Sequence, residues 1–219
     1  MIKIDPNKPL PRHTKLKWEE CFAKLILESF LPKEFKKLSL KDKPDLQNED
    51  HNLGIEVTMA VDKIDSELDR LYIGIEYNQV RNKEQAMKKI EKLGGKINRG
   101  ILIHPGKSRS FSNVKRMLEK KLELLNNKNI KYFKHNYLFV IDELLIHDYE
   151  LLPLLTEFMN IQDKYKKKFE RIYLYILWGE LYEFDLKKQI YKIINVDREQ
   201  IWKIGNEARE MVALEEEKD

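Results

Sequence analysis

Apolar residues at positions 18, 21, 22, 25, 26 and 30 recur at helical spacing, which predicts a helix over 17–30 that Pro32 closes. A strand over 38–46, interrupted by Pro44, comes next. Strict alternation then sets Leu53, Ile55 and Val57 against Gly54, Glu56 and Thr58, the pattern of a strand over 53–58. Helices follow over 61–77 and 83–93, the second ending at Gly94-Gly95. A short buried strand over 101–104 stops at Pro105. Ser110 or Ser112 caps a helix reaching 125, and 137–141 is another buried strand. The remaining expectations are a helix over 151–169, strands over 171–178 and 181–186 turning at Gly179, and a terminal helix from Asp197 with an acidic tail over 215–219. Strands alternate with helices through the middle. The expected fold class is therefore α/β, a mixed central sheet with helices on both faces.

Pro6, Pro9 and Pro11 mark residues 1–16 as an extended arm, and no linker or repeat divides 17–219, which reads as one domain. Of the 219 residues, 42% are hydrophobic and 36% charged, which excludes collagen-like and wholly disordered classes. The single cysteine, Cys21, excludes an internal disulfide and a Cys-rich zinc site. It fits a reducing, cytoplasmic setting, where a thiol on an apolar helix face is inert. No apolar run approaches the roughly 18 residues of a membrane span, so no membrane partner is expected. The N-terminus lacks the apolar core of a secretory signal. A net charge of +4 permits a nucleic-acid partner without requiring one.

Chemistry concentrates at Lys43-Pro44-Asp45-Leu46 and Gly54-Ile55-Glu56-Val57-Thr58. Period-two geometry puts Glu56 and Thr58 on one face of their strand. Carboxylates on neighbouring strands, about 4.8 Å apart, can share a hard cation that activates water beside a phosphate. The plainer alternative makes Asp45 a turn residue and Glu56 a solvent-facing one.

The run Pro44-Asp45 … Glu56-Val57-Thr58, after a helix with an aromatic-Glu pair, resembles the PD-(D/E)XK nuclease superfamily over roughly the first hundred residues. The resemblance implies a restriction-endonuclease-like α/β core. It implies Mg²⁺ (or Mn²⁺) on Asp45 and Glu56, and phosphodiester cleavage in DNA. It leaves a homodimer open. Thr58 stands where the superfamily carries its motif lysine, so another cation must supply the positive charge. Helical-wheel arithmetic favours Lys89, on the flank of the Ala86, Met87, Ile90 and Leu93 stripe, with Lys63 second. The same arithmetic prefers Glu19 to Glu20 as the helix carboxylate.

Two other readings remain. One is a nuclease-fold module without catalysis that binds nucleic acid or protein. The other is a P-loop-like NTPase, suggested by Gly106-Lys107-Ser108 and by the acids Asp142 and Glu143 after an apolar strand. That loop lacks the four-residue spacing between its glycines. Lys164, Lys166, Lys167, Lys168 and Arg171 form the densest basic run, a candidate phosphate contact. Tyr173, Tyr175 and Tyr182 are candidate base-stacking residues.

Overall fold

The computed structural model describes residues 9–10, 14–105, 111–127, 130–143, 146–176 and 179–216. One mixed sheet has seven strands in the order β1 (Ser39–Leu40), β2 (Leu46–Asn48), β3 (Leu53–Met59), β6 (His135–Asp142), β7 (Arg171–Ile176), β8 (Glu180–Asp185) and β9 (Ile190–Ile194). β3, β6 and β7 are mutually parallel and the outer pairs antiparallel. The α/β class expected from the sequence is the one observed. Parallel strands are covered on both sides, and β6 is accordingly apolar from Tyr137 to Ile141, with all five residues buried.

On one face, α1 (Trp18–Phe30) and α6 (Arg198–Glu216) cover Ile55, Val57, Tyr137, Phe139, Tyr173 and Tyr175. Helix α1 is buried on two sides, because α6 packs along it and Trp18 Nε1 donates to the Gly205 carbonyl at 3.1 Å. On the other face, α4 (Ser112–Asn126) and α5 (Asp148–Gln162) cover Leu138, Val140, Ile172, Leu174, Ile176 and Phe184.

Between β3 and α4 the chain leaves the sheet. Helices α2 (Lys63–Glu76) and α3 (Lys83–Lys92) and the hairpin β4 (Lys96–Asn98)–β5 (Ile101–Ile103) form a lobe with its own core of Leu68, Leu71, Ile75, Ala86 and Ile90. His104, just past the hairpin, ties it to α2. Its Nδ1 lies 3.1 Å from Asp65 and its Nε2 2.9 Å from Asp69.

Several boundaries differ from expectation. Helix α5 covers Asp148–Gln162 rather than 151–169. The buried Gln162 amide accepts from Phe169 N at 2.7 Å and donates to its carbonyl at 3.3 Å, closing a loop where the apolar spacing suggested more helix. The expected strand over 38–46 is two short strands, and β4 and β9 are additional. Most of the arm, Ser110, residues 177–178 and the tail from 217 lie outside the described residues, whereas Gly179 turns as expected, with a φ of 93° and its N–H donating to the Ile176 carbonyl at 2.9 Å. Among the described residues no helix is long and apolar enough to cross a membrane.

Candidate active site

Antiparallel register pairs Leu46 with Ile55, which sets Asp45 opposite Glu56 on the face covered by α4. Asp45 is pinned there. Its Oδ2 accepts from Val57 N at 2.7 Å, and its carbonyl accepts from Lys41 N at 3.0 Å. Gly54 makes the approach possible, since a Cβ there would lie 2.6 Å from Pro44 Cγ and 2.8 Å from Phe133 Cδ2. The Pro44 ring rests against that bare position, its carbonyl takes a hydrogen bond from Gln47 Nε2 at 3.1 Å, and Asp45 follows directly.

Lys121, on α4, completes the group. Its Nζ lies 2.5 Å from Glu56 Oε2 and 3.2 Å from Asp45 Oδ2. The two carboxylate oxygens are therefore no farther apart than those two legs laid end to end. The side chains are 4% (Glu56), 14% (Asp45) and 17% (Lys121) exposed, so water screens them little. Burial pushes the Glu56 carboxyl above its usual range, the Lys121 charge opposes this, and the Asp45 charge adds to it. Beside them Lys17 Nζ meets Glu20 Oε1 at 2.6 Å. The Glu20 carboxyl is also raised, first by burial; Lys17 opposes the rise and the nearby Asp45 charge reinforces it.

Asp45 and Glu56 are brought together as expected, with Thr58 half-buried on the same face two residues on. Lys89 is a correction. It pairs with Glu67 at 2.5 Å on the lobe surface, because the stripe on α3 packs against α2 rather than the sheet. Lys63 is exposed at the start of α2. Glu20 rather than Glu19 is the helix carboxylate coupled to Asp45, because α1 buries two sides and a single-stripe wheel misplaces its edge.

The basic run is also corrected. Arg171 points inward and is paired with Glu34, Glu183 at 3.4 Å and Asp185 at 3.6 Å. Lys164 pairs with Glu119, Lys168 with Asp163, and Lys167 lies over Tyr132, leaving Lys166 exposed in the loop after α5. Tyr173, Tyr175 and Tyr182 are buried and cannot stack on bases. Cys21 is fully buried and its thiol is pushed up to about 11, which keeps it protonated and inert. Gly106-Lys107-Ser108 lies outside the described residues.

Sequence reasoning missed Lys121, although a signal existed. At 100° per residue it stands roughly 55° from the centre of the Val114, Leu118, Leu122 and Leu125 stripe, nearer the packed face than Lys89 is to its own.

Among the described residues no group of three or more His, Cys, Asp or Glu side chains forms a metal cage. Two carboxylates are nonetheless a donor set that suits Mg²⁺, since it keeps several waters and takes few protein ligands. The residues present fit such an ion. Comparison of the chain with protein-family models, curated proteins and solved structures found no match.

Proposed function

We propose that this chain is a divalent-metal-dependent nuclease of the PD-(D/E)XK kind, cleaving phosphodiester bonds in DNA in the cytoplasm. The observation that carries the reading is the Lys121 ammonium lodged between Asp45 and Glu56. It supplies from α4 the fixed positive charge that Thr58 cannot.

Asp45 and Glu56 would hold Mg²⁺ or Mn²⁺, which supplies Lewis acidity and a more acidic water when bound. Lys121 has three N–H donors on a flexible stem. It can swing from the carboxylates onto a phosphate oxygen as negative charge develops there. The Glu56 carboxyl is raised chiefly by burial, and a bound divalent cation would favour its charged form. Glu20 fixes Lys17 at the rim, where its charge is felt by Asp45 and Glu56.

The test is Mn²⁺- or Mg²⁺-dependent cleavage of plasmid and single-stranded DNA. Asp45→Asn, Glu56→Gln and Lys121→Ala should each abolish cleavage while remaining folded, and Lys89→Ala should retain it. A wild-type protein that binds metal but never cuts would favour the non-catalytic module instead. Full activity in Lys121→Ala would remove the assigned cation.

A further inference from the structure

A cleft of about 1160 Å³ is walled by residues of α1, α2, α4 and α6, past the end of β3 that carries Glu56. Three of its wall residues lie close in sequence to the Asp45–Glu56–Lys121 group or its Lys17 neighbour. Trp18 adjoins Lys17, Met59 lies three residues past Glu56 on β3, and Met117 is one turn before Lys121 on α4. Its volume exceeds the roughly 300–1,000 Å³ that holds a drug-sized ligand, which suits a stretch of polymer better than one small molecule.

The charges on its walls are uneven. Of its acids, Glu67 pairs with Arg70 and Lys89 and Asp69 with His104, while Glu143 stands on the wall as a third. Among the described residues the Arg116 guanidinium reaches the Val61 carbonyl at 3.4 Å and Asn113 Oδ1 at 3.2 Å, and its buried Nε has no partner there. A guanidinium with unused donors in a cleft suits a phosphate. On the α6 side Trp202 is 70% exposed, an aromatic face left in water at the cleft wall.

We infer that this cleft binds a short single-stranded segment of DNA leading into the Asp45–Glu56–Lys121 site, with a base stacked on Trp202 and a phosphate on Arg116. The inference rests on the nuclease reading and adds the form of its substrate. An unpaired strand exposes base faces that a tryptophan can cover, whereas a duplex keeps them stacked on each other. Arg116 answers the backbone that every such strand carries, whatever its sequence.

The experiment is binding without metal, so that cleavage plays no part. A fluorescein-labelled oligothymidylate and a matching duplex are titrated in EDTA and followed by anisotropy at several salt concentrations. The single strand should bind more tightly than the duplex. Trp202→Ala should weaken it by roughly five- to a hundredfold, the range for losing one base–aromatic stack, and Trp202→Phe should restore most of the loss. Arg116→Gln should reduce the salt slope of log K by about 0.7, the share of one phosphate on a single strand. Thermal melts verify that each variant is folded, and Trp202 is exposed enough to be replaced without disturbing the core. Preference for duplex, or unchanged single-strand affinity in folded Trp202→Ala, would overturn the inference and leave the nuclease reading to its own cleavage assay. Tight, Trp202-dependent binding by a protein that never cuts would uphold the cleft while removing the nuclease.

Discussion

Replacing Lys121 with methionine keeps the stem of the side chain and removes the charge that separates two carboxylates. Asp45 and Glu56 would then face each other within about 6 Å, and at an effective dielectric near 20 two unit charges at that distance repel by about 3 kcal/mol. Breaking a buried ion pair by deleting one partner costs about 3–5 kcal/mol, of the same order. Against a total stability of about 5–15 kcal/mol the loss is easily measured. The variant also has an escape, which gives the prediction its signature. Glu56, already raised above 4.5, should be raised further and take up a proton. A carboxyl with a raised folded pKa binds more protons folded than unfolded, so stability is full below about pH 4.5 and falls as pH climbs through the folded value. Urea unfolding of Lys121→Met and wild type between pH 5 and 8 should therefore converge at the acid end and diverge at the alkaline end. Adding Mn²⁺ should narrow the gap, because an ion at a hundred times its Kd contributes about 2.7 kcal/mol to the folded variant, whereas in the wild type it must first displace the Lys121 ammonium from between the carboxylates. Equal stability at pH 8, or a variant that gains stability as pH rises, would mean that Lys121 does not separate these carboxylates.

Gly54→Ala should push the Pro44 ring away and carry Asp45 with it, costing about 1–3 kcal/mol in urea unfolding and weakening Mn²⁺ binding measured by calorimetry. Thr58→Lys introduced into Lys121→Ala should restore part of the lost cleavage, because position 58 shares the face of Glu56; a folded double variant with no gain would show that an ammonium from β3 cannot reach the phosphate. His104 sits between Asp65 and Asp69, which outweigh its burial and hold its pKa above 6.5. A base raised in the folded state stabilises below its unfolded pKa and loses that contribution as pH passes the folded value. Hydrogen exchange over 96–104 should thus quicken above pH 6.5 beyond its intrinsic pH dependence, and His104→Asn should abolish the excess.

The carboxylate pair was legible because it depends on local geometry. Alternation in 53–58 fixes which face Glu56 takes, and a proline before Asp45 marks where the neighbouring strand begins. The lysine was not, because a stripe on a helix shows that the helix packs without naming its partner. Helix α3 has such a stripe and spends it on α2 and the hairpin; α4, further along the chain, lies on the sheet. Glu19 and Glu20 were exchanged for a related reason, since α1 is enclosed by the sheet and α6 together and its polar edge is narrow. The basic run looked like a surface because nothing nearby in sequence announces the acids that claim Arg171. Glu34 is 137 positions away, while Glu183 and Asp185 become neighbours only through the β7–β8 register.

The enclosure of α1 sets an order of events during synthesis. The helix carrying Glu20 leaves the ribosome well before α6, which seals its outer side and is the last of the described elements. At roughly 5–20 residues per second, the interval between them is on the order of 10–40 s. Throughout it the apolar side of α1 has no cover, and the mouth of the cleft has no fourth wall. A nascent chain of this protein therefore exposes apolar surface that chaperones recognise until α6 is made, and a premature stop ahead of Arg198 should yield an aggregating fragment rather than a folded domain.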